Sequence, residues 1–313
     1  MRESSAAVND SAAGSPSGSG SEPGGSGSGD ETASRTAAPG PEPGASRTGR
    51  NLPAAIGVGV LLGALVILSL YTVKQIFVAV VVLFLGLGVF ELVKAVAARD
   101  IRVPLWPVLA GGTAMLVGAY AGGPVSLAGA FALTVLAVLT WRMFAGGIDG
   151  YVRDATASVF VLAYAPLLAG FVMLMLAEPD GAHRVVVFIA VTVSSDIGGY
   201  AAGVLFGKHR MSPVISPKKT WEGFAGSALA CMLVGAWLLS WLLDAAIWQG
   251  ALLGLVAVVC ATLGDLIESV VKRDLGIKDM GTLLPGHGGV MDRLDSLLAV
   301  VVPAWLLMEL FVS

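Results

Sequence analysis

Apolar residues run along most of this chain in long blocks separated by short polar breaks. A helix needs about 20 mostly apolar residues to cross a bilayer core about 30 Å thick. Nine blocks approach or reach that length: about 53–73, 75–97, 104–122, 126–144, 156–177, 184–206, 223–243, 247–270 and 295–312. Several breaks carry Gly, Pro or a charge, and the faintest is the stretch from Thr72 to Gln75. Glycine recurs inside the blocks, as at Gly86 and Gly88 or at Gly198, Gly199 and Gly203, where it lets membrane helices approach closely. The pattern predicts an all-α, polytopic integral membrane protein with about nine transmembrane helices.

Residues 1–50 break the pattern. Ser, Gly and Pro supply 26 of these 50 residues, with almost no large apolar side chains. Such a segment buries too little surface to offset its ordering entropy, so the expectation is a disordered tail. The first apolar run begins near Ile56, too late for a signal peptide. The expected organisation is a Gly/Ser/Pro/Ala-rich tail over 1–50, N-terminal transmembrane helices over 51–180 and a C-terminal transmembrane catalytic region over 181–313.

Composition supports this picture. Hydrophobic residues make up 56% and charged residues 13%, against about 25% charged in soluble domains. A net charge of -3 offers no global basic field for nucleic acid. Cys231 and Cys260 sit inside apolar blocks and form no zinc or disulfide framework. With nine spans, all of the 19 lysines and arginines except Lys74 and Arg184 fall on the side of the tail. By the positive-inside rule the N-terminus is then cytoplasmic, in a cell (inner) membrane.

Polar groups crowd into two loops on that same side. The first, Ser194 to Gly223, holds Ser195, Asp196, Lys208, Arg210, Lys218 and Lys219. In the second, Gly264 to Ser296, Asp265, Glu268, Ser269 and Lys272 follow spacings of three and four and share one helix stripe. Ionisable groups near the end of an apolar span are costly, so they mark function by default; a plain Glu268–Lys272 ion pair is the alternative. Downstream, Gly286, Gly288 and Gly289 flank His287, letting backbone amides approach an anion. Asp292 and Asp295 follow at the start of the last span, where a helix N-cap is the alternative for one of them. Carboxylates, several cations and a glycine loop on one face suit a magnesium–phosphate site at the membrane surface. No Walker A pattern and no GxSxG element accompanies them.

The run Ser269, Lys272-Arg273, Lys278-Asp279, Gly281, His287-Gly288-Gly289, Asp292-Arg293 and Asp295 resembles the signature of the phosphatidate cytidylyltransferases, or CDP-diacylglycerol synthases. Ser195-Asp196, Phe206-Gly207-Lys208 and Ser216 to Gly223 are similar to that family as well. The resemblance implies transfer of a cytidylyl group from CTP to phosphatidate, with Mg²⁺ and K⁺ as companion ions. It also implies a nine-span homodimer in the lipid bilayer, with a cytoplasm-facing cavity. It places the metal on Asp265 and Asp292, and the catalytic set expected here is Asp265, Asp292, Lys272 and His287. Ser195, Asp196, Lys218, Lys219, Ser269, Arg273, Lys278, Gly288, Gly289, Arg293 and Asp295 are the expected substrate contacts. A CTP-dependent lipid (polyprenol) kinase and a non-enzymatic membrane transporter are the alternative readings.

Overall fold

The computed structural model of the protein describes residues 52–212, 216–281, 283 and 288–312. The expected disordered tail over 1–50 and the candidate His287 lie outside the described residues. The helices are α1 (Leu52–Thr72), α2 (Lys74–Ala97), α3 (Leu105–Gly146), α4 (Tyr151–Leu162), α5 (Leu168–Ala177), α6 (Gly181–Phe206), α7 (Trp221–Leu243), α8 (Ile247–Asp274) and α9 (Met291–Phe311). A π-turn, Ala163–Leu167, carries Pro166 and joins α4 to α5 as one span.

Among the described residues seven helices are long and apolar enough to cross a membrane, so the count of nine is not matched one for one. The difference lies in α1 and α3. In α1 the apolar stretch is the shorter Gly59–Thr72. The expected spans 104–122 and 126–144 both fall inside α3, which is broken at Gly123 (φ 70°, ψ -160°) just before Pro124. Only glycine takes that φ at little steric cost, and Pro124 cannot continue the hydrogen-bond ladder. Gly111 sits against Thr134 and Gly118 against Ser126, so the two halves of α3 run back along each other.

The all-α expectation misses one small element: strands β1 (Arg210–Ser212) and β2 (Ser216–Thr220) pair antiparallel between α6 and α7. Thr220 ends the hairpin as the N-cap of α7, its hydroxyl accepting from Gly223 N at 3.1 Å. The core lies between helices. α6 packs on α7, α7 on α8 and α8 on α9, while α2 and α5 close against α9. With seven such helices among its described residues, the chain is a multi-pass membrane protein.

Candidate functional site

Two glycine seams set the spacing of the wall that carries the chemistry. At Gly198 and Gly226 an added Cβ would meet the backbone of the facing helix, as would one at Gly235 and Gly250. Helices α6, α7 and α8 therefore meet backbone to backbone, as small residues allow in membranes. At one end of this wall a cleft of about 320 Å³ opens. Ser195 and Asp196 of α6, Lys218 and Lys219 of β2, Asp265 of α8 and Ser296 of α9 line it.

The inner side of the cleft is acidic. Asp265 and Glu268 stand one turn apart on α8, and Asp295 reaches them from α9. Gly264 makes that approach possible, because a Cβ there would strike Ala299 and the Asp295 carbonyl. One ligand oxygen from each of the three acids lies within 4.8 Å of the others. Asp265 is partly open to the cleft, whereas Glu268 is fully buried. The Oε1 atom of Glu268 is buried with no hydrogen-bond partner among the described residues. Asp295 accepts from Ser296 N at 2.6 Å. Two lysines meet the cluster: Lys219 pairs with Asp265, and Lys272 with Glu268 at 2.6 Å. Oxygen donors grouped this closely, one with an unused buried lone pair, suit a hard divalent cation.

Asp292 has a different setting. It accepts from Lys272 Nζ at 2.9 Å, from Met280 N at 3.0 Å and from Gly289 N at 3.0 Å. It thus fastens the loop between α8 and α9 to both helices and is not among the three clustered acids. The pair expected to hold the metal, Asp265 and Asp292, is not the set the structure gathers: Asp295 and Glu268 stand beside Asp265, while Asp292 turns to loop amides. Lys272 bridges the two arrangements, so the Glu268–Lys272 ion pair considered as an alternative exists alongside the cluster.

The other candidates divide. Gly288 (φ 87°) and Gly289 abut the Asp292 carboxylate, and a Cβ at Gly289 would also meet Glu91. Arg293 lies on the wall of an apolar slot beside the cleft. Lys278 lies in a separate groove with Phe90, Glu91 and Lys94. Arg273 is exposed and Ser269 half-buried, neither with a side-chain hydrogen bond among the described residues.

Two groups escaped the sequence reading. Glu91 of α2, 3% exposed, accepts from Met291 N at 3.0 Å and so caps the start of α9. The signal was present, since a lone acid inside an apolar block is costly unless used. Tyr164, in the π-turn, carries a buried hydroxyl with no hydrogen-bond partner among the described residues. Nothing in its local sequence distinguishes it from a packing tyrosine.

Residues 53–311 match the cytidylyltransferase family. A Mycobacterium leprae protein named phosphatidate cytidylyltransferase is 42% identical over 279 residues, 84% of this chain and 89% of its own length. One of the same name from Mycobacterium bovis is 41% identical over 277 residues, covering 85% and 90%. A Staphylococcus haemolyticus namesake is 38% identical over 149 residues, covering 47% and 56%.

Proposed function

The chain belongs to the cytidylyltransferase family, and from that premise we propose that its acid-walled cleft is where a cytidylyl group passes from CTP to phosphatidate. The protein is a nucleotidyltransferase of phospholipid biosynthesis, making CDP-diacylglycerol and pyrophosphate. The observation that carries the site assignment is the cluster of Asp265, Glu268 and Asp295 on the inner side of a cleft bearing Lys218 and Lys219.

The chemistry asks little proton transfer of the protein. The nucleophile is a phosphate monoester oxygen of phosphatidate, whose second pKa is about 6, so it is largely ionised at neutral pH. It attacks the α-phosphorus of CTP; a P–O bond forms, the bond to the β-phosphate oxygen breaks, and pyrophosphate leaves with the electron pair. The obstacle is bringing two polyanions together. Lys218 and Lys219 supply positive charge along the cleft, and Lys272, held between Glu268 and Asp292, adds a fixed cation. Asp265, Glu268 and Asp295 would hold a divalent cation such as Mg²⁺. When bound, that ion neutralises phosphate oxygens and the pyrophosphate charge. Gly288, Gly289 and the amides that Asp292 fixes would shape the phosphate-facing loop. The asymmetry of Lys and Arg supports a cytoplasmic cleft in the cell membrane, and a homodimer is the assembly we expect.

The test is direct. Purified protein in detergent, given phosphatidate and CTP labelled in the cytidine, incorporates label into lipid only when Mg²⁺ is present. Transfer of γ-phosphate to lipid without the cytidine would overturn the reading.

A further inference from the structure

Beside the acid cluster lies a second recess, walled by α1, α2, α5, α6 and α9. Its volume is about 230 Å³, and its lining is apolar except for Arg293. An all-apolar cavity of about 150 Å³ already stays dry and takes a small hydrocarbon, so this recess suits an apolar guest. It is set between helices: Phe77, Leu85, Phe188, Leu298 and Val301 line it and are buried.

Its placement says which guest. Along α9 it runs from Arg293 to Val301, about 12 Å at 1.5 Å per residue. Along α6 it is lined by Phe188 and Ile189, while the polar cleft is lined by Ser195 and Asp196 of the same helix, about 10 Å further on. Arg293 joins the two: it lines the apolar recess and stands one helical turn from Ser296, which lines the cleft. It has no ion-pair partner among the described residues. A cation on the wall of an apolar slot, beside a phosphate-transfer cleft, matches a molecule with an anionic head and a hydrocarbon tail. We propose that this slot holds one acyl chain of the phosphatidate substrate, with Arg293 facing its phosphate. The proposal rests on the phosphatidate reading above.

Two substitutions from different helices fill the slot, Val81→Trp on α2 and Leu297→Trp on α9. Each is compared with the wild type on dioleoyl and on dioctanoyl phosphatidate. The expected result is a fall of at least about ten-fold in the ratio of kcat/KM for the long chain over the short chain. A ratio unchanged within about two-fold, or an equal loss on both substrates, would overturn the slot while leaving the reaction intact. A wild type that incorporates cytidine into neither lipid would sink the functional reading instead. Should the tryptophan variants fail to fold, Val172→Leu fills the slot more gently and is expected to lower the same ratio. Phosphatidate bearing a photoreactive group on its acyl chain is expected to label α1, α2, α5, α6 or α9 of the wild type. Labelling confined to α3, α4, α7 or α8 would refute the assignment.

Discussion

Asp295→Asn separates a metal-binding cluster from a structural one. The three carboxylates have ligand oxygens within 4.8 Å of one another. At an effective dielectric of about 20, two unit charges at that distance repel by about 3.5 kcal/mol. With all three ionised, Asp295 faces two such neighbours, about 7 kcal/mol of gross repulsion, which Lys219 and Lys272 offset in part. The hydrogen bond it accepts from Ser296 N can also be accepted by the asparagine oxygen. In EDTA the substitution is therefore expected to stabilise the protein. A net gain of only about 1 kcal/mol raises Tm by about 2–4 °C. Magnesium should reverse the order. A ligand at 100 times its Kd stabilises by about 2.7 kcal/mol, a gain the wild type shows and the variant largely loses, together with at least about 100-fold in turnover. The assay is thermal denaturation in detergent with EDTA and with Mg²⁺, run beside the cytidine-transfer assay. Equal Mg²⁺-induced shifts in Tm for the two proteins would refute the reasoning, as would a lower Tm for the variant in EDTA.

Two further outcomes are expected. Asp292→Asn should lower kcat by more than about ten-fold while moving the Mg²⁺ concentration for half-maximal activity by less than about three-fold, because Asp292 holds Lys272 and loop amides; a shift in metal requirement as large as that of Asp295→Asn would return Asp292 to the metal. Arg142→Met should lower Tm by at least about 6 °C, since Arg142 (4% exposed) and Asp154 (1% exposed) form a buried pair at 2.8 Å, and removing one partner of such a pair costs about 3–5 kcal/mol; a Tm within about 2 °C of wild type would contradict this.

The sequence carried the helical membrane class and the shared face of the polar residues on α8, because both are local properties. Apolar blocks declare spans, and the spacing of Asp265, Glu268 and Lys272 puts them on one face of α8 without knowledge of any neighbour. The partner from α9 was not legible in the same way. Asp292 and Asp295 are one turn apart at the start of one helix, and which of them faces α8 depends on how closely the helices cross. Gly264 settles that crossing from outside α9. The hairpin Arg210–Thr220 was hidden because two strands of three and five residues are too short for a periodic signal. Arg142 and Arg153 counted only toward orientation, although Asp154 nearby gave both a partner.

The bond from Met291 N to Glu91 spans 200 residues of sequence, and this has a consequence for biosynthesis. Translation delivers α2 to the bilayer long before α9 exists. Until α9 arrives, the nascent protein holds a carboxyl in α2 without the amide it will eventually cap. A polypeptide interrupted before residue 291 thus keeps its α2 carboxyl without that amide.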